Sequence, residues 1–131
     1  MTTIMEIKQE YENHHYLHHL GIEILSLEKE KVMIRLNVQD YLLNTNGTLH
    51  GGVCASLLDI IQSIQLRIVT KIRSSCINST VFFMAPVQTG IVYAEASILS
   101  KAYKTAFVEG KLIDEKGRLI SKGISTYRIL I

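Results

Sequence analysis

Residues 51–72, GGVCASLLDIIQSIQLRIVTKI, narrow the choice of folds more than any other stretch of the chain. Val53, Ala55, Leu57, Leu58, Ile60, Ile61, Ile64, Leu66, Ile68 and Val69 fall almost all the way round a helical wheel. A helix apolar on nearly every side belongs inside a protein and not on its surface. Ser56, Asp59, Gln62, Ser63, Gln65 and Arg67 interrupt the run, so it would cross a bilayer poorly and no membrane association is expected. A buried helix of this length needs other elements wrapped around it.

The flanking residues supply them. Four runs of strand character follow, at 75–84, 91–101, 104–113 and 119–131, separated by the 86–90 loop, by AYK and by DEKGR. Residues 114–117 make a hairpin turn, with Gly117 where a positive φ is needed. Ahead of the helix, Ile22, Ile24 and Ser26 alternate with Glu23 and Leu25. Val32, Ile34, Leu36 and Val38 alternate with Met33, Arg35 and Asn37, and LEKEK breaks the two runs into a hairpin. Residues 40–50 form a polar loop, and 3–20 carry Ile4, Ile7 and Tyr11 at helical spacing up to a stop at Gly21. The expected order is helix, two strands, buried helix, four strands: an α+β domain over residues 1–131, with an antiparallel sheet wrapped around the central helix. A lone proline, Pro86, and no low-complexity stretch argue for one unit without a linker.

Charge excludes some partners. Net charge is +2, and Lys and Arg are scattered, so no footprint for nucleic acid is present. MTTIMEIKQEYENHH lacks the apolar stretch of a signal peptide, and Cys54 and Cys76 have no CxxC or other metal-ligand spacing. Reduced thiols in the cytoplasm are the expectation.

The chemistry concentrates in residues 42–63, LLNTNGTLHGGVCASLLDIIQS. Asn44, Gly47, His50, Gly51, Gly52 and Asp59 stand at fixed spacing across a loop-to-helix junction. This pattern resembles the signature of hotdog-fold thioesterases of the phenylacetate-degradation (PaaI-like) type. HHLGIEI at 18–24 and STVFFMAPVQTG at 79–90 extend the likeness over nearly the whole chain. The resemblance implies a hotdog fold and hydrolysis of an aryl- or fatty acyl-CoA thioester to free acid and CoA. It implies no cofactor, since coenzyme A is part of the substrate, and a homodimer as the smallest unit, with a tetramer expected. It also implies that Asn44 helps to place substrate or water, and that His50 supports the loop and the carbonyl-binding end. Asn44 as a turn-former and His50 as a helix-start residue are the structural alternatives. Cys76 stands where relatives often place a Ser or Thr that orients the attacking water; Ser75 or Asn78 are the candidate substitutes for that weak donor. Lys101 and Lys104 match basic residues that reach CoA phosphates in relatives.

Physical reasons stand beside the likeness. The first amides of a helix lack intrahelical partners and carry the positive end of its dipole. The Gly51 N–H is therefore suited to stabilise a thioester oxygen as it gains charge, and Gly51 and Gly52 let the substrate approach without a Cβ in the way. Asp59, the lone acid of an apolar helix, is expected to act as general base or nucleophile, because an idle buried charge is costly. Gly51 and Asp59 are eight positions apart. Along a helix that separation is about 12 Å. One thioester carbon cannot meet both within a single chain, so Asp59 is expected from a neighbouring subunit.

Other signals are weaker. His14, His15, His18 and His19 have i, i+4 pairs but no Glu between them, which favours surface or interface roles over a metal site. Cys54 lacks an evident base and is expected to pack. Arg67, Lys71 and Arg73 are expected to complement the C-terminal dipole of the central helix. A hotdog dehydratase needs a His-Phe-Pro loop and a further Pro-Gly element, which a chain with one proline cannot build. A non-catalytic acyl-CoA-binding module is the remaining alternative, and Asp59 argues for chemistry instead.

Overall fold

The structure is a computed structural model and describes residues 2–131. Two short helices open it, α1 (Ile4–Glu12) and α2 (His15–Leu20), where one helix over 3–20 was expected. The Thr3 hydroxyl caps α1 by accepting the Glu6 N–H at 3.1 Å, and Gly21, at φ 82°, closes α2. The break at Asn13 and His14 has a packing cause. In an unbroken helix Leu20 would lie about 140° around from Ile7. Turning at His14 lets Ile7, Leu17 and Leu20 all enter the core.

Strands β1 (Ile22–Glu28) and β2 (Lys31–Asn37) form the expected hairpin, but the simple alternation fails at a bulge between Ile24 and Ser26. The extra residue leaves Leu25 exposed and turns Leu27 inward beside Ile24. After a short 3-10 turn (Asp40–Leu42) and a loop comes the central helix α3 (Gly51–Thr70). Strands β3 (Ser74–Phe83), β4 (Ile91–Lys101), β5 (Thr105–Asp114) and β6 (Leu119–Ile129) complete the chain. The described residues form one antiparallel sheet of order β1-β2-β4-β5-β6-β3. It curls around α3, which touches every strand: the hotdog arrangement.

Close approach of helix and sheet depends on small residues. Ala96, Gly110, Gly123 and Val81 pair side by side across β4, β5, β6 and β3. A Cβ on Gly110 would lie 3.1 Å from both Leu58 and Gln62, and one on Gly123 3.3 Å from Leu58. The apolar side chains Leu57, Leu58, Ile61 and Ile64 fill the concave face against Ile34, Leu36, Val92, Leu112 and Ile120.

The helix is not covered all round. Gly52 and Asp59 are exposed and Ser56 and Ser63 half-buried, a stripe recurring at three- and four-residue intervals. One side of that stripe is edged by α1 and α2. The hydroxyls of Tyr16 and Ser56 are 2.7 Å apart, and Glu10 pairs with buried Arg67 at 3.2 Å and with Arg73 at 2.7 Å. Of the residues expected at the C-terminal dipole, Arg67 lies in the last turn and Lys71 Nζ donates to the Ile68 carbonyl at 2.8 Å, while Arg73 turns to Glu10. Among the described residues α3 is the one helix long and apolar enough to cross a membrane, and it is the core helix of this sheet. At the end of the sheet, β3 pairs only with β6; its other edge is open, with Ile77, Phe82 and Phe83 exposed.

Candidate active site

The loop before α3 is built around Asn44. Its Oδ1 accepts the N–H groups of Asn46 at 2.9 Å and Thr48 at 3.1 Å, while Nδ2 donates to the Thr48 hydroxyl at 3.0 Å. Gly47 completes the turn at φ 75°. The amide side chain is thus occupied in shaping the loop, as a turn-former is. His50 follows in extended conformation and caps the helix. Its Nδ1 accepts the Gly52 N–H at 2.8 Å, and its carbonyl accepts those of Val53 and Cys54. Among the described residues this leaves the Gly51 N–H without a partner, at the positive end of a helix of 20 residues. A cavity of about 300 Å³ opens beside it, lined in part by Asn44, Gly51, Cys54, Phe83 and Ser121. A side chain at 51 would start 3.2 Å from the Phe83 ring.

Asp59 belongs to a second cluster. It lies on the open stripe of α3, so burial in an apolar helix, the argument that singled it out, does not hold within one protomer. What marks it is a specific partner. The buried Tyr127 hydroxyl donates to Asp59 Oδ1 at 2.7 Å and lies 3.2 Å from the Asp59 carbonyl oxygen. Burial drives the Tyr127 phenol far above its ordinary pKa, and the Asp59 carboxylate drives it further, so the hydroxyl keeps its proton. Behind it, Gln62 Nε2 donates to the Tyr127 oxygen at 3.4 Å and to the Ser125 hydroxyl at 3.0 Å, and Ser125 donates to Ser79 at 2.8 Å. Cys76 pairs with Tyr127 across β3 and β6 and completes the cluster. Partial burial raises its thiol pKa, and the nearby Asp59 charge adds to the effect.

Tyr127, Gln62 and Ser125 were not legible as site residues in the sequence. The available signal was the polar residues at alternate, inward positions of the last strand, Ser121, Ser125 and Tyr127.

The structure sorts the expected residues into two groups. Asn44, His50, Gly51 and Gly52 meet at the start of α3, where Phe83 ends β3. Asp59 and Cys76 meet near the beginning of β3. Lys101 lies in the same cross-sheet row as Ala106, Tyr127 and Cys76. Lys104 is in the adjoining turn, its carbonyl held by the Ile129 N–H at 2.8 Å, and both lysines are exposed. The lysines therefore accompany the Asp59 cluster and not the Gly51 cluster. Cys54 is buried, with its thiol pKa pushed up by burial, which suits packing and not nucleophilic attack. Of the four N-terminal histidines, His14 occupies the N-cap position of α2 without a side-chain cap bond, His18 is hydrogen-bonded to the Glu12 carbonyl, and the His19 ring meets Tyr41 edge-on at 6.3 Å. No group of three metal-ligating side chains is assembled among the described residues.

Comparison with known proteins identifies the family and the fold. The thioesterase superfamily profile matches residues 46–121. The chain is 32% identical to the 1,4-dihydroxy-2-naphthoyl-CoA hydrolase of Listeria monocytogenes, over 77% of this chain and 84% of that one. It is 28% identical to mouse (Mus musculus) acyl-coenzyme A thioesterase 13, over 80% of this chain and 77% of the relative. The E. coli PaaI protein from the phenylacetic acid degradation operon has the same fold, with a TM-score of 0.90 at 19% identity over 97% of this chain and 92% of that one. With the profile extending from the loop at Asn46 through α3 to Ser121 in the last strand, this chain belongs to the thioesterase superfamily.

Proposed function

We propose that this protein hydrolyses the thioester of an aryl- or fatty acyl-CoA, releasing the free acid and CoA, in a site shared by two subunits. The observation that carries the reading is the unpartnered Gly51 N–H at the head of α3, opening on a cavity of acyl size. In the proposed mechanism the thioester carbonyl oxygen accepts that hydrogen bond and builds up negative charge against the helix dipole. Asp59 of the partner subunit attacks the carbonyl carbon directly or takes a proton from the attacking water. The carbon–sulfur bond then breaks. On the water path the proton taken by Asp59 passes to the CoA sulfur. On the direct path water cleaves the acyl–Asp59 anhydride, restoring the carboxylate and giving the acid and the proton that the CoA sulfur takes.

Sharing the site rests on separation. Gly51 and Asp59 stand eight positions apart on α3. That is about 12 Å of helix, against the ~3 Å that both need from one carbon. Two α3 helices lying antiparallel would bring each Gly51 to the other subunit's Asp59, and the open edge of β3 offers a surface for such pairing. Lys101 and Lys104, on the Asp59 side, would meet the CoA phosphates, and dimers would pair into a tetramer. Water, an amide and a carboxylate suffice for this reaction, so no cofactor enters it. Free Cys54 and Cys76 are consistent with a cytoplasmic setting.

The test is release of CoA thiol over a panel of aryl and fatty acyl-CoAs. The wild-type protein should hydrolyse at least one class, and Asp59→Asn should abolish turnover while the oligomer persists. Binding without turnover across the whole panel would favour a non-catalytic acyl-CoA-binding module.

A further inference from the structure

We infer that Tyr127 is a positioning residue for Asp59, fixing one carboxylate oxygen so that the other faces the open stripe of α3. The inference rests on the proposed role of Asp59 and extends it to a residue on a different element. A hydroxyl has one proton to give. Gln62 Nε2 approaches the Tyr127 oxygen as a donor, so the phenolic proton is left for the carboxylate, and 2.7 Å is the length of a strong hydroxyl–carboxylate bond. The donor is held on all sides: Tyr127 is 1% exposed, Gln62 0% and Ser125 1%. Gln62 comes from α3 one turn beyond Asp59, so helix and strand together set the hydroxyl. Asp59, by contrast, lies on the exposed face of α3, and among the described residues the Tyr127 bond to Oδ1 is the one formed by its side chain.

Without Tyr127 an exposed carboxylate would sample several rotamers. With it, Oδ1 is anchored and Oδ2 remains for water or the acyl carbon. The titratable groups brought against Asp59 are Tyr127 from β6 and Cys76 from β3; both are acids whose proton is retained more strongly beside the carboxylate.

The experiment compares wild type, Tyr127→Phe and a protein with 3-fluorotyrosine at 127, a more acidic phenol of nearly the same shape. For Tyr127→Phe the expected result is kcat lower by about 10-fold or more with KM nearly unchanged, since small misplacement of a reacting group is costly. The fluorinated protein, whose hydroxyl still donates, should keep kcat near wild type. An unchanged kcat in folded Tyr127→Phe would overturn the inference. A second readout needs no activity: the Tyr127 hydroxyl proton should resonate downfield in the intact protein and move upfield in Asp59→Asn. If that signal ignores Asp59→Asn, the positioning role is wrong. If it responds while no acyl-CoA is hydrolysed, the proposed reaction is what fails.

Discussion

The ring of His50 closes the helix that it precedes: His50 Nδ1 accepts the Gly52 N–H at 2.8 Å, leaving its neighbour, the Gly51 N–H, as the unused donor. The cap and the proposed oxyanion donor thus involve adjacent amides. A Cβ on Gly52 would lie 3.0 Å from that same nitrogen, so the glycine makes room for its own cap.

His50→Ala should lower stability by about 1 kcal/mol, and His50→Asn, which keeps a side-chain acceptor at the N-cap, should recover most of it. Thermal unfolding of the three proteins checks this. Equal melting of the Ala variant and wild type would remove the capping role, and a stable but inactive Asn variant would show that the imidazole does more than cap.

Gly51→Pro removes the proposed oxyanion donor and keeps the backbone of the helix start, at the cost of a shift of a few tenths of an ångström by the Phe83 ring. Proline is well tolerated at the first helical position, and His50, at φ −60° and ψ 136°, already has the backbone that a following proline demands. Activity should fall by about 100- to 1000-fold in a folded protein. Mixed and reassembled with Asp59→Asn, it should regain about a quarter of wild-type activity, because heterodimers would carry one intact site in two. No recovery on mixing would mean that each site is built from one chain.

Gly110→Ala should destabilise the fold by about 1–3 kcal/mol through overpacking against Leu58 and Gln62. Chemical denaturation measures it. A neutral result would show that α3 can lift from the sheet at little cost.

Glu10 links stability to pH. Burial raises its carboxyl pKa, but the Arg73 hydrogen bond and the Arg67 and Arg73 charges outweigh this and hold it below the ordinary glutamate value. A carboxyl with a depressed folded pKa stabilises above its unfolded value, and that contribution fades as pH falls through the folded one. Wild type should therefore lose stability over the acid range more steeply than Glu10→Gln. At neutral pH Glu10→Gln should cost about 1–2 kcal/mol, discounted for the screening of half-exposed Glu10, because Arg67 stays buried without its partner. Parallel pH–stability curves for the two proteins would contradict the linkage.

Much of the fold was readable from local pattern, because helix and strand periods and turn residues act over a few positions. The bounds of α3, the four later strands, the Gly117 turn and the Gly21 stop all came from such signals. So did the helix start at Gly51. The features that escaped were those set by distant partners. The turn at His14 answers the demand that Ile7 and Leu20 share a core, and the bulge after Ile24 brings Leu27 inward opposite Val32.

The sequence alone determined that a long apolar helix opens with two glycines and carries one carboxylate two turns on. Only the tertiary structure decided that this carboxylate lies on an open face and is gripped by Tyr127, 68 residues later. Side-chain period says which residues share a face of one element. It carries no record of which hydroxyl, on another element, the folded sheet will bring to that face.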